Sequence, residues 1–435
     1  MKISNLTKNL FEFTFLFFIF SIVCFGRPFT GIILFGFRLG EILVGVGLIV
    51  IFVIAIKLKS IKGFTNIFYT HLALVFLFMA YVFLNGLEQF DTYIFKSSSF
   101  IWMISYVYLG YFLSKIHNIN NTILFFSIPL FLIFIFSFYT YPQFLMNFFT
   151  NYSDKFDFPK GSDLLLLLVL SNYLIKNYLN NKEFYFWYFF ISFSVFLPGL
   201  LFKSKGAFLP AALVVVIELI YMRKFIFKNY FKTCFAFLLG ILLFISSTLF
   251  IWGDLTFGRI SEIEEEKEIS SIVSDTLTKN IKKNETNEIF YSFYFSDNRL
   301  FSTNITANWR LQIWQDVYYD LLDNNKLLFG YGYFEIIPAM DTPSRQGNDG
   351  TNEHVHNFMV NILARAGIVG VVTYFLLMFH IIKLYQSEQK DLQIVNFILP
   401  LLLTSFFDSS LESVRFPFIT YSFIGFFIGY QKEKL

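Results

Sequence analysis

Residues 351–384, TNEHVHNFMVNILARAGIVGVVTYFLLMFHIIKL, turn from a polar stretch into a sustained apolar run within a few positions. A helix needs about 20 mainly apolar residues to cross a bilayer, and the run from Val355 to Leu384 exceeds that. It therefore reads as a membrane span. His356 and Asn357 stand at its head, and a Gly-x-x-Gly, Gly367 and Gly370, lies inside it. A titratable group is thereby held at a membrane surface.

The rest of the chain agrees with this start. Its 435 residues are 56% hydrophobic and 22% aromatic, and only 15% are charged, whereas soluble domains carry about 25%. The charges cluster between apolar runs. Twelve runs are candidate spans: 10–25, 31–56, 66–85, 97–114, 122–140, 162–179, 184–202, 206–222, 231–252, 355–384, 393–409 and 415–430. The expected fold is an all-α polytopic membrane protein. Lys2 and Lys8 precede the first run, and no small-residue cleavage site follows it at Phe25-Gly26-Arg27-Pro28, so an uncleaved first span is expected.

Lys and Arg in short loops favour the cytoplasmic side. With the N-terminus inside, inside segments hold sixteen basic residues and short outside segments seven: Arg27, Lys96, Lys155, Lys160, Lys203, Lys205 and Arg415. Both termini are expected in the cytoplasm, and the long segment before the tenth run outside. The domain expectation is 1–252 for nine spans, 253–354 for one large external loop, and 355–435 for three more spans. The net charge of +3 is modest, and its basic residues fall in cytoplasmic loops suited to anionic lipid headgroups. Nucleic acid is not an expected partner. Cys24 and Cys234 both lie inside apolar runs, so no disulfide framework supports the loop.

The loop has two halves. Residues 259–290 are charged and read as a surface helix or mobile insert, the Glu262 to Glu266 run as a solvated face. From Asn308 to Glu335, apolar residues recur at three and four residue spacings, as in an amphipathic helix lying on a membrane surface. Gly330-Tyr331-Gly332 then supplies a tight turn, without the context of a dinucleotide-binding loop.

Several residues bear on chemistry. His356 can take up a proton near neutral pH; the bland alternative is an interfacial His capping the tenth span with Asn357. Arg310, four residues before Trp314, either binds a phosphate group through its planar fork or pairs with Asp316, Asp320 or lipid headgroups. Lys203 and Lys205 read either as phosphate-attracting cations or as snorkelling side chains at a helix end. Arg38 with Glu41 reads as an internal ion pair or as part of an anionic-substrate pocket. Glu353, His354 and His356 are too tightly spaced, with no further His or Cys nearby, to suggest a metal site.

Three elements appear in an order that resembles the O-antigen ligase and polymerase superfamily of membrane glycosyltransferases, best over residues 184–384. Ser204-Lys205-Gly206-Ala207 resembles its Ser-Arg-Gly-Ala element. The stretch Asn308 to Phe334, carrying Arg310, Trp314, Gly330 and Gly332, resembles its Arg, Trp and Gly-x-Gly-x-Phe segment. His356-Asn357 resembles its His-Asn element. The resemblance implies a C-type glycosyltransferase-like bundle of about twelve transmembrane helices with a large periplasmic loop between helices 9 and 10. It implies a bacterial inner-membrane enzyme, with a periplasmic active site, that moves a glycan from an undecaprenyl-diphosphate carrier to an acceptor hydroxyl. His356 would be its base. Arg310, Lys205, Lys203 and Arg38 would be its diphosphate-binding cations, and Asn357, Trp314, Gly330 and Gly332 its supports. Lys205 departs from the family's Arg, keeping charge and losing the bidentate fork. The expected chemistry is inverting and metal-independent, with no cofactor. The leading expectation is an O-antigen ligase with a lipid A core acceptor; an O-antigen or exopolysaccharide polymerase acting on a growing glycan is the alternative, and a polysaccharide transporter or flippase lies outside the class.

Overall fold

The computed structural model describes residues 5–58, 63–85, 92–115, 119–138, 142–154, 159–179, 181–253, 293–342, 345–346 and 353–430. In chain order its main helices are α1 (Asn5–Phe25), α2 (Leu39–Leu58), α3 (Phe64–Asn85), α4 (Tyr106–Ser114), α5 (Ile119–Phe138), α6 (Gly161–Tyr178), α7 (Lys182–Lys203), α8 (Lys205–Lys228), α9 (Tyr230–Trp252), α10 (Ile305–Asp323), α11 (Phe358–Gln389), α12 (Val395–Ser405) and α13 (Arg415–Gly429). Two antiparallel ribbons pair β1 (Ile33–Leu34) with β2 (Phe37–Arg38) and β3 (Phe293–Ser296) with β4 (Arg299–Ser302). The protein is an all-α polytopic membrane protein.

Every apolar run read from the sequence coincides with helix over most of its length. Among the described residues, six helices, α2, α3, α7, α8, α9 and α11, are long and apolar enough to cross a membrane, and shorter apolar helices accompany them. The fourth run, 97–114, is not one helix but two, Ser99–Met103 and α4, and a further short helix, Thr92–Ser97, ends where the run begins. The charged segment 259–290 lies outside the described residues.

The chain divides into two compact units. The first comprises residues 1–71, 99–253 and 376–435. Apolar lipid gives helices no hydrophobic reason to associate, so close approach at small residues carries the packing. Helices α4 and α13 show it: a Cβ at Gly110 would stand 1.8 Å from the Ser422 carbonyl oxygen, and one at Gly425 would stand 1.9 Å from that of Val107. Only glycine fits at either position. Backbone groups freed where helices break must be bonded inside the protein at membrane depth. Accordingly, His71 brings Nε2 to 2.8 Å from the carbonyl of Ile101, just before α4 begins, and stacks on Tyr108. A buried ion pair joins α6 to α8: Lys176 Nζ lies 2.6 and 2.8 Å from the Glu218 carboxylate oxygens, and the Tyr185 hydroxyl of α7 donates to Glu218 at 2.8 Å. The shared hydrogen bonds offset the cost of removing both charges from water.

The second unit comprises residues 72–98 and 254–375. Its core is built on one stripe of α10, Ile313, Val317 and Leu321, each 0% exposed, packed with Ile337, Met340, Val355 and Ala364. This corrects one reading of the sequence. The apolar stripe of α10 faces protein rather than a membrane surface, because periodicity marks a face to be covered without saying what covers it.

Candidate active site

The second unit positions its polar side chains from the backbone outward. Asn304 caps α10, its side-chain oxygen accepting from Ala307 N–H at 2.9 Å. The β3–β4 ribbon is bound to the helix through Gln315, which accepts from Leu300 N–H at 2.7 Å and donates to the Leu300 carbonyl at 2.8 Å. Asp316 of α10 accepts from both Arg299 of β4 and Arg345. Burial raises the carboxyl of Asp320, one turn on, above its ordinary value; Arg345 opposes this, Asp323 adds to it and Arg299 opposes it.

The turn containing Gly330 and Gly332 meets α11 at a break. Gly367 has φ 64° and ψ −166°, so α11 is two helices joined across a kink. This region of backbone space is essentially restricted to glycine. The groups released there are taken up by residues 327–332. Tyr331 N–H donates to Ala364 O at 2.7 Å and Gly332 N–H to Arg365 O at 3.0 Å, while Ile368 and Val369 donate to Leu327 O and Leu328 O at 2.9 and 3.1 Å. Gly330, at φ 80°, permits the approach, since a Cβ there would lie 2.6 Å from the Ala364 carbonyl oxygen. Tyr81 of α3 closes the turn from the other side, its hydroxyl donating to the carbonyls of Phe329 and Gly330.

His356 sits between two fixed neighbours. Trp314 Nε1 of α10 donates to the Val355 carbonyl at 2.7 Å. Asn357 is 5% exposed, and its side-chain oxygen accepts from Met359 N–H at 2.9 Å and Val360 N–H at 3.2 Å, capping α11. His356 itself adopts φ 53°, the left-handed region that costs most residues strain and is enriched at functional sites. Its ring lies against Trp309, with centroids 5.2 Å apart. Arg310 follows Trp309 on the same turn of α10 and is half-buried. The imidazole thus meets the helix turn that carries Arg310.

Six residues singled out in the sequence, Arg310, Trp314, Gly330, Gly332, His356 and Asn357, belong to this one unit. The other three lie in the first unit. Lys203 ends α7 and Lys205 begins α8, on either side of Ser204. Arg38 precedes α2 and is held by two carboxylates, Asp154 at 2.5 Å and Glu41 at 3.5 Å; the pairs are exposed rather than internal, and Asp154 was not read as a partner.

Trp309 and Arg365 were missed in the sequence. Arg365 is 3% exposed and donates to Gly332 O at 3.2 Å, to Glu335 O, and to the Tyr93 hydroxyl at 2.6 Å. A cation inside an apolar run is itself the signal that could have found it.

Residues 187–375, from α7 through α10 and the His356 loop into α11, match the family model described as O-antigen ligase. Among curated proteins none matches the chain. The matched region contains Lys203, Lys205, Arg310 and His356 in the order read from the sequence, and it supports the chain's resemblance to the O-antigen ligase and polymerase superfamily.

Proposed function

We propose that this protein is an O-antigen ligase, a membrane glycosyltransferase that moves a glycan from an undecaprenyl-diphosphate carrier to a hydroxyl of lipid A core. The observation that carries the reading is His356, held in a left-handed backbone between two anchored residues and against the helix turn of Arg310, inside a stretch matching the O-antigen ligase family. In this reading residues 253–354 form a periplasmic loop of a bacterial inner-membrane protein, with both termini cytoplasmic. The bias of Lys and Arg among the short loops supports that orientation.

The acceptor hydroxyl oxygen attacks the anomeric carbon of the carrier-linked glycan while the neutral imidazole of His356 takes the hydroxyl proton. The bond from that carbon to the diphosphate oxygen breaks, and the carrier leaves with the electron pair. Arg310, a permanent cation with a planar fork, holds the charge that grows on the diphosphate. Attack opposite the leaving group inverts the anomeric centre. No nucleotide enters the step.

The deciding experiment is the lipopolysaccharide banding pattern of a deletion strain, with carrier-linked glycan assayed in parallel. A ligase predicts bare core and long glycan accumulating on the carrier. Core bearing a single repeat unit would instead make the protein a polymerase, and an unchanged pattern would overturn both assignments.

A further inference from the structure

We infer that Lys96 is a positioning residue for His356, an inference that rests on the catalytic reading above. It lies on the six-residue helix Thr92–Ser97, and three polar side chains of that helix reach three different parts of the candidate site. Lys96 Nζ lies 2.5 Å from a Glu353 carboxylate oxygen, three residues before His356. Ser97 Oγ donates to the Tyr333 carbonyl at 2.7 Å, beside the Gly330–Gly332 turn. The Tyr93 hydroxyl accepts from Arg365 at 2.6 Å, and the guanidinium also lies over the Tyr93 ring, 5.4 Å from its centroid.

Trp314 fixes Val355 and the Asn357 cap fixes the start of α11, so residues on both sides of His356 are anchored. Lys96 adds an upstream anchor at Glu353, before the chain turns into the left-handed conformation. Tyr93 holds the neighbouring turn: it fixes Arg365, whose other bonds hold the carbonyls of Gly332 and Glu335. The same short helix therefore sets both the His loop and the turn that closes the break in α11.

Energy argues that this is placement rather than bulk stabilisation. The Lys96 side chain is 46% exposed and that of Glu353 is 19% exposed, and an ion pair that open to water contributes little to folding, about 1 kcal/mol at most. Geometry is another matter. A shift of about 1 Å in a catalytic group costs on the order of 100-fold in rate, and an anchor three residues away is close enough to cause one.

The test is a charge swap in the full-length protein, purified and supplied with undecaprenyl-diphosphate-linked glycan and core lipopolysaccharide extracted from the same strain. Lys96→Glu and Glu353→Lys are each expected to lower kcat on the order of 10- to 100-fold while donor KM stays within about twofold, and the double variant to recover most of the loss. Thermal midpoints are expected to stay close to wild type throughout. Single variants with wild-type kcat, or a double variant no better than the singles, would overturn the inference. So would Lys96→Gln raising donor KM with kcat intact, which would make Lys96 a substrate contact. Should a reversed charge prevent folding, Lys96→Gln and Glu353→Gln read the same split between kcat and KM. His356→Ala run alongside separates the two readings: full turnover there defeats the catalytic assignment itself, whereas lost turnover with unaffected swap variants defeats the positioning role alone.

Discussion

Trp314 donates its indole N–H to the Val355 carbonyl at 2.7 Å, tying α10 to the residue immediately before His356. Trp314→Phe keeps a ring in the core and removes the donor, leaving that buried carbonyl without its indole partner. The expected result is a loss of stability of about 1–3 kcal/mol together with a lower kcat. Thermal unfolding and glycan transfer on the same preparation check it; an unchanged kcat would uncouple the helix from the base.

His356→Asn separates backbone from chemistry. Asparagine tolerates φ 53° nearly as well as histidine, but it cannot accept the acceptor's proton. Transfer should fall at least about 100-fold with the thermal midpoint preserved. Retained transfer in a folded protein would remove His356 from the mechanism.

Arg310→Lys keeps the charge and loses the planar fork. An intermediate loss is expected, with Arg310→Ala lower on the order of 100-fold or more, the magnitude associated with one removed electrostatic donor. Equal activity in both variants would mean that charge at this position is irrelevant to the leaving group.

Gly367→Ala places a Cβ 2.2 Å from the Leu328 carbonyl while the backbone stands at φ 64°. Backbone strain alone contributes roughly 1–3 kcal/mol, and the overlap adds to it. The variant should be recovered from membranes in lower yield, with a lower unfolding midpoint. Wild-type behaviour would mean that α11 can run straight through this point.

Asp320 gives a pH signature. Its carboxyl is raised chiefly by burial, so the folded protein holds this proton more tightly than the unfolded chain does. The associated stability is present below the unfolded carboxylate pKa and is lost as pH rises through the folded value. Asp320→Asn should therefore raise the unfolding midpoint at about pH 8 and do so less at about pH 5, nearer the carboxylate range. A benefit that grows toward acid would reverse the assignment.

Hydropathy made the helices legible, because lipid imposes the same requirement on every span and a run such as 231–252 needs no partner to be recognised. It did not reveal where helices break. Nothing in the composition of residues 97–114 marks the interruption before α4, and the Gly-x-x-Gly of α11 was visible while the kink at its first glycine was not. In the candidate site, His356 and Arg310 could be singled out from the sequence because the chemistry proposed for them rests on residue type. The site was illegible where a residue matters through a distant partner: Lys96 and Glu353 are 257 positions apart, and Arg365 read as one more residue of an apolar run. The stripe of α10 was seen and given the wrong cover, since spacing is identical for a helix on lipid and a helix on protein.

The exchange of hydrogen bonds between residues 327–332 and 364–369 also limits how this protein can be recombined with its relatives. Each segment supplies the backbone partners that the other lacks, and the glycines on both sides leave no room for a different contour. In a chimera, a junction placed between Leu327 and Val369 would separate a lock from its key. The two segments travel as one heritable block, and a graft from a relative is better taken from outside it.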